Sequence, residues 1–281
     1  MLRTSDELLQ AFELHIRKPS FVVGNDGRYT RNIFKQLGMP PEEFNRIVEE
    51  HGELMPLMNL GAWSGPKEQV SAEQLTGTET DDFAIELKAR AHLVSALMRR
   101  VAELGGCSRW GFKILGDVLH AAEYAAAWPK ARVILLVRDP RDHALSVMKL
   151  NEQRQARGQQ LFYKDYASVA SGWLNTIRDG HRALEASSLQ HVLVRYEDLV
   201  TQPETELKRL EQALDLDLSR GTSFYKEDFI EEQTQRFKHH DNLKKPVNAS
   251  SVGKWRTQMT TEESGVFLEI AGEEMARWGY D

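Results

Sequence analysis

Residues 133–146 constrain the fold of this chain more than any other stretch: Val-Ile-Leu-Leu-Val-Arg-Asp-Pro-Arg-Asp-His-Ala-Leu-Ser. Five consecutive apolar residues, Val133 to Val137, fit a strand buried on both faces, as parallel sheets use. Arg138 stands at its carboxyl end. Asp139-Pro140 then predicts a helix start, with Asp at the N-cap and Pro at the first helical position. Ser146 lies two helical turns beyond Asp139 and shares its face. An arginine at a strand end, beside exposed helix amides and a hydroxyl, suits a phosphate group. The same residues could equally form only a local ion pair and a cap.

The chain has 281 residues, 41% of them apolar and 28% charged, enough for one large α/β domain or two small ones. No apolar run approaches the roughly 20 residues that span a bilayer. The segment from Met1 to Glu7 lacks the apolar core of a signal peptide. The single cysteine, Cys107, excludes an internal disulfide framework and fits a reducing compartment, so a cytoplasmic protein is expected. Cys107 reads as a small packing residue rather than a nucleophile. A net charge of −6 argues against nucleic acid or a polyanion as partner, but leaves room for a nucleotide site built from a few local cations.

Strand-like and helix-like segments alternate along the chain. Thr4 and Glu7 before Leu8, Leu9, Phe12 and Ile16 predict a capping box and a first helix. Phe21–Val23 reads as a strand, Gly24–Thr30 as a tight loop, and Arg31–Leu37 as a helix closed by Gly38. A helix starts at Pro40-Pro41, and residues 55–80 read as a lid or acceptor-loop insertion. A long helix, Asp82–Leu104, stops at Gly105-Gly106. Strand Trp110–Leu115 and helix Asp117–Ala127 precede the central strand. A polar loop at Gln153–Gln160, helix Asp165–Glu185, strand His191–Val194, and helices from Pro203, around Lys226–Phe237 and from Thr261 complete the order. This alternation predicts one α/β domain over 1–281, with a mostly parallel central sheet covered by helices on both faces.

Arg138-Asp139-Pro140-Arg141-Asp142 with Ser146 closely resembles the 3′-phosphate-binding segment of sulfotransferases that use 3′-phosphoadenosine 5′-phosphosulfate (PAPS). Val192–Leu199, with Tyr196-Glu197-Asp198-Leu199, is similar to that family's Tyr-Glu-Asp-Leu element. Ser251-Val252-Gly253-Lys254-Trp255-Arg256 resembles its Gly-x-Trp loop, which closes over the nucleotide, and the ending Trp278-Gly279-Tyr280 also fits. Together these pieces span residues 105–281. The resemblance implies a P-loop-NTPase-like sulfotransferase fold, with PAPS as co-substrate, adenosine 3′,5′-bisphosphate as its product, and no metal. It places Arg138 and Ser146 on the 3′-phosphate, with Tyr196, Ser251, Gly253, Lys254 and Trp255 around the nucleotide.

The family's first loop commonly reads Pro-(Arg/Lys)-Ser-Gly-Thr-Thr and holds the 5′-phosphosulfate. Here the matching stretch, Gly24 to Asn32, has neither the Ser-Gly pair nor the double threonine. The resemblance implies Gly27, Arg28, Tyr29, Thr30 and Arg31 as the phosphosulfate contacts. Arg28 takes the place of the family's arginine, and an alignment shifted by one residue is equally open.

Sulfuryl transfer is loose and in-line, so it needs cations at the bridging oxygen and a base at the acceptor. Arg28 and Lys113 are the expected cations; Lys113 matches a lysine the family often carries at this strand end. Cytosolic members place a histidine two residues later, where this chain has Leu115. Other members use a glutamate in a Gly-Glu pair, which points to Glu53 as the base, with His51, Asp117 and His120 as alternatives. A carboxylate serves this way near neutral pH only when burial raises its basicity. His239-His240-Asp241 does not read as a metal site, because adjacent histidines point apart and no partner lies at ligand spacing.

The expected function is sulfuryl transfer from PAPS to a hydroxyl or amine of a small or medium acceptor. Trp63, Phe83, Phe162 and Tyr163 are candidates for the acceptor pocket or for ordinary packing. A P-loop kinase-like phosphotransferase is the first alternative, and the chain carries no Gly-x-x-x-x-Gly-Lys-(Ser/Thr) for it. A non-catalytic nucleotide-binding relative that keeps only the Arg138/Ser146 half is the second. Loop composition encodes neither the acceptor nor the oligomeric state.

Overall fold

A computed structural model describes residues 8–12, 28–54, 82–113, 116–219, 221–223 and 244–281. The expectations for strand Phe21–Val23, for Gly24 to Gly27, for the 55–80 insertion with Trp63, for the helix around Lys226–Phe237 and for His239-His240-Asp241 lie outside the described residues. The chain divides into two compact units.

The first unit comprises residues 1–115, 122–131 and 216–218. It contains β1 (Leu8–Phe12), α1 (Arg28–Gln36), α2 (Pro41–Glu50), α3 (Asp82–Leu104), β2 (Arg109–Lys113) and most of α4 (Ala121–Ala127). β1 runs parallel to β2, from Leu8 opposite Arg109 to Phe12 opposite Lys113. Over the described residues Leu8–Phe12, the expected first helix is therefore a strand. Leu8, Leu9 and Phe12 suit either period over so short a run, and pairing with β2 supplies hydrogen bonds that an isolated short helix could not hold. A second correction concerns α1. It begins at Arg28, so Arg28, Tyr29 and Thr30 form a helical turn rather than a loop.

α3 has the bounds its pattern predicts, and its glycine stop is a Schellman motif. Gly106 takes φ +69°, its amide reaches the Glu103 carbonyl at 3.1 Å, and the Cys107 amide reaches that of Ala102 at 2.8 Å. α3 forms the centre of this unit's core: Leu93, Val94, Leu97, Met98 and Val101 pack with Phe34, Phe44 and Ile47. Trp110 and Phe112, two apart on β2, pack with Tyr124 and Trp128 at the margin of that core. The Trp128 indole donates to Ser95 Oγ at 2.7 Å, so the burial of its N–H is satisfied.

The second unit comprises residues 116–121, 132–215 and 219–281. After a 3₁₀ turn, Asp117–His120, it contains β3 (Arg132–Val137), α5 (Pro140–Gln155), α6 (Tyr166–Leu174), α7 (Gly180–Ala186), β4 (Gln190–Arg195), α8 (Tyr196–Thr201), α9 (Pro203–Leu214), α10 (Trp255–Gln258) and α11 (Thr261–Arg277). β3 and β4 pair in parallel, from Arg132 opposite Gln190 to Val137 opposite Arg195, with α5–α7 forming the crossover such a pair requires. Among the described residues, the expected α/β pattern with parallel strands is present as two parallel strand pairs.

β3 departs from the expected burial. Leu135 and Val137 are buried, but Leu136 is 51% exposed, so the strand is covered on alternate residues rather than on both faces. α6 and α7 read as one helix in the sequence and are continuous through a π turn at Asn175–Asp179. Asp165 and Ser168 form the capping box of α6, and Thr260 and Glu263 that of α11. Among the described residues, no helix is long and apolar enough to cross a membrane.

Candidate functional site

Arg138 leaves β3 where α5 begins, and its backbone carbonyl accepts the Trp173 indole N–H from α6 at 3.0 Å. Its guanidinium lies 4.7 Å from the centroid of the Tyr196 ring at the start of α8. One terminal nitrogen, Nη2, donates to the Ser251 carbonyl at 2.8 Å. Its Nε is buried and has no hydrogen-bond partner among the described residues. A buried guanidinium N–H left without an acceptor is uncommon, and the Nε of Arg195 shares this condition.

Asp139 is the N-cap that the sequence predicts, but it does more than cap. Its Oδ1 accepts the Arg141 amide at 2.9 Å and Arg141 Nε at 3.0 Å, while its Oδ2 accepts Arg141 Nη2 at 2.8 Å. This two-pronged ion pair is almost sealed, Arg141 being 2% exposed. Above it, the Arg141 guanidinium lies 3.6 Å from the Trp255 ring centroid, and that of Arg256 lies 4.5 Å from the same ring. Asp142 is turned to the same loop. Its Oδ2 accepts the Gly253 amide at 2.6 Å and its Oδ1 the Trp255 amide at 2.9 Å. Gly253 has φ +71°, a conformation that glycine takes without strain, so the loop can turn its amides onto one carboxylate.

A further anchor lies behind this cluster. Glu197 accepts the Asp139 amide at 3.0 Å through Oε1 and the Tyr280 hydroxyl at 2.8 Å through Oε2. Burial first, and then the neighbouring Glu197 carboxylate, push the Tyr280 phenol well above the usual tyrosine range. Tyr280 is brought there by a Schellman motif at the end of α11. Gly279 takes φ +72°, its amide reaches the Ala276 carbonyl at 2.9 Å, and the Tyr280 amide reaches that of Met275 at 2.9 Å.

This arrangement corrects one expectation. The amides foreseen as open to an anion are partly taken: Arg141's by the Asp139 carboxylate and Asp139's by Glu197, while Pro140 has none. The reading as local ion pair and cap therefore holds for Asp139 and Arg141, while Arg138 keeps a donor unspent. Ser146 is exposed on α5, and its Oγ lies 3.4 Å from the Asp142 carbonyl. Lys254 is exposed between the two amides that Asp142 holds. The structure thus joins Arg138, Tyr196, Ser251, Gly253 and Trp255 into one bonded cluster. Ser146 shares a helix with it, but its hydroxyl turns to the Asp142 carbonyl rather than to Arg138 or the 251–255 loop.

Of the remaining expected site residues, Arg28 to Arg31, Glu53, His51 and Lys113 belong to the first unit, and Asp117 and His120 to the second. Arg28, Tyr29, Thr30 and Arg31 lie at the start of α1, with only their backbone described, and Gly27 lies outside the described residues. Lys113 ends β2 and is exposed. Glu53 lies in a 3₁₀ turn, Gly52–Leu54, and is exposed, so the shielding expected of a base is not supplied by its described surroundings. His51 is fastened, its Nδ1 lying 2.8 Å from the Ile47 carbonyl. Asp117 and His120 share the 3₁₀ turn before α4. Among the described residues, no group of three or more His, Cys, Asp or Glu could hold a metal ion.

A family model described as the sulfotransferase family matches residues 31–220, well over half of the chain. The chain belongs to the sulfotransferase family, whose chemistry is sulfuryl transfer. The matched range includes Glu53, Lys113, Arg138, Ser146 and Tyr196; Gly27–Thr30 and the 251–255 loop fall outside it. No curated protein matches the chain.

Sequence reasoning quoted Arg141, Asp142, Glu197 and Tyr280 within motifs but gave them no role. Apart from the local Asp139–Arg141 pair, their hydrogen-bond partners lie 58 to 113 residues away, so spacing carried no signal for them. The one available hint was compositional: two acids and two arginines packed around a single proline, more charge than one helix cap requires.

Proposed function

We propose that this protein transfers a sulfuryl group from PAPS to a hydroxyl or amine of a small or medium acceptor, releasing adenosine 3′,5′-bisphosphate. The observation that carries the reading is the buried, unpartnered Nε of Arg138. It stands at a strand end, beside the loop that resembles the family's nucleotide-closing segment, and that loop is already fastened by Asp142 and Arg141. A phosphate oxygen there would satisfy the Nε, and the planar guanidinium suits it. Ser146 would add a hydroxyl from α5, and Tyr196, Ser251, Gly253, Lys254 and Trp255 would line the nucleotide.

The transferring groups follow the resemblance. Arg28 and Lys113 would neutralise charge on the bridging oxygen, helped by the amides at Gly27–Thr30. Glu53 would take the acceptor proton, with shielding supplied by the acceptor that covers it. Changing Glu53 to Gln would then lower turnover and leave nucleotide binding nearly intact.

Calorimetric titration with adenosine 3′,5′-bisphosphate, against AMP and ATP, tests the donor site. Micromolar binding that disappears with AMP supports a 3′-phosphate pocket. No binding, or a preference for ATP, overturns PAPS as the donor.

A further inference from the structure

The peptide unit that joins Arg138 to Asp139 is held on both of its polar groups. Its carbonyl accepts the Trp173 indole N–H from α6 at 3.0 Å, and its N–H donates to Glu197 Oε1 from α8 at 3.0 Å. A peptide unit is planar, so bonds on both groups fix its orientation and with it the ψ rotation at Arg138. On the other side of the same Cα, Val137 is the last residue of β3 and pairs with Arg195 of β4. The direction in which the Arg138 side chain leaves the backbone is thereby set from both sides.

Glu197 is buried, and its second oxygen, Oε2, accepts the Tyr280 hydroxyl at 2.8 Å. Tyr280 packs against Trp173, the ring centroids 6.4 Å apart and the planes at 66°. The two groups that hold the peptide unit therefore meet through Tyr280. Tyr196, the residue before Glu197, lies under the Arg138 guanidinium. The start of α8 thus addresses both the backbone and the guanidinium of Arg138.

A helix cap does not by itself require this. In a capping box, the third residue of the helix returns its side chain to the N-cap amide. α6 and α11 close their boxes in that way, with Ser168 and Glu263. In α5 the third residue is Asp142, and its carboxylate is turned to the Gly253 and Trp255 amides instead. A carboxylate 58 positions further along the chain takes its place. Burying a carboxylate is costly, and here it is done at the one peptide bond that orients Arg138.

We propose that Glu197 is a positioning residue of the donor site: it holds the peptide bond after Arg138, with Trp173 opposite and Tyr280 behind, and so aims the Arg138 guanidinium at the 3′-phosphate of the nucleotide. The inference rests on the PAPS reading above. Glu197 touches no ligand and acts through Arg138. Without it the peptide unit is free to rotate, the guanidinium samples other directions, and ordering it on the phosphate opposes binding. That loss falls on ligands with a 3′-phosphate, which AMP lacks.

The test is the dissociation constant of adenosine 3′,5′-bisphosphate, with AMP as control, for the wild type, Glu197→Ala, Glu197→Gln, Trp173→Phe, Arg138→Ala and the Arg138→Ala/Glu197→Ala pair. Near-UV circular dichroism shows which variants are folded. Glu197→Ala should weaken the bisphosphate by roughly tenfold, the scale of one buried hydrogen bond, and AMP by much less. Glu197→Gln keeps an oxygen for the Asp139 amide and an NH₂ that the Tyr280 oxygen can accept, so it should recover most of the lost affinity. In the Arg138→Ala background, adding Glu197→Ala should cost nothing further. If Glu197→Ala does not fold, Trp173→Phe, alone and with Arg138→Ala, decides by the same two criteria. Unchanged affinity for the bisphosphate, equal losses for both ligands, or losses that add to that of Arg138→Ala overturn this inference and leave the PAPS reading standing. Wild-type protein that fails to bind the bisphosphate overturns the PAPS reading and the inference with it.

Discussion

Asp142 Oδ1 accepts the Trp255 amide at 2.9 Å across 113 residues of sequence, and the other oxygen of the same carboxylate accepts the Gly253 amide at 2.6 Å. One side chain near the start of α5 thus holds the turn that places Ser251 on Arg138. Asp142→Asn keeps one acceptor, loses the charge, and turns a donor toward a backbone donor. It should release the loop by about 1–3 kcal/mol. Amide hydrogen exchange at Gly253 and Trp255 measures this directly. Unchanged protection would show that the Arg141–Trp255 contact alone suffices.

Arg138→Ala should weaken adenosine 3′,5′-bisphosphate by roughly 1.5–3 kcal/mol, the scale of a charge-assisted contact. The loss should be much smaller for AMP, which lacks the 3′-phosphate. Equal losses for both ligands would mean that the arginine acts through the Ser251 carbonyl and the loop rather than on that phosphate. The dissociation constants of the two ligands decide between these.

Tyr280→Phe removes the hydroxyl that Glu197 Oε2 accepts at 2.8 Å, leaving a buried carboxylate oxygen short of a donor. A loss of about 1–3 kcal/mol in urea denaturation at pH 8 is expected. The pH dependence has a definite sign. The folded-state pKa of Tyr280 is raised, so its contribution is complete below the unfolded tyrosine value of about 10 and declines as pH rises toward the folded value. The stability gap between wild type and variant should therefore narrow above about pH 10. A gap that stays constant would argue against a buried neutral phenol.

Gly180 starts α7 against the 3₁₀ turn, where an added Cβ would clash with Val118 Cγ1. Alanine is the better helix former by about 1 kcal/mol, yet Gly180→Ala should destabilise by roughly 1–3 kcal/mol through overpacking. Adding Val118→Ala should recover part of that loss in thermal unfolding. A stabilised single variant would mean that the turn shifts freely.

The local features of this chain were legible where neighbouring residues decide them. Asp139-Pro140 starts α5, Gly105-Gly106 stops α3, and Pro41 opens α2, each through backbone preferences and bonds spanning a few residues. Arg138 was likewise identified by its place after an apolar run. Tertiary structure decided the rest. Leu8–Phe12 is a strand because β2 offers its edge, which no pattern within those residues could reveal. Leu136 is half exposed although its neighbours in sequence are as apolar, because coverage of a strand depends on which helices pack on it. Asp142 bonds two amides of a glycine turn, Arg141 lies over Trp255, and Glu197 holds Tyr280, because folding brings each pair together across long separations. The sequence by itself determined the helix starts and stops that local caps decide and the charged side chains at the strand end. Only the folded chain determined which of those charges bond one another, and that the Nε of Arg138, like that of Arg195, is left buried without a partner among the described residues.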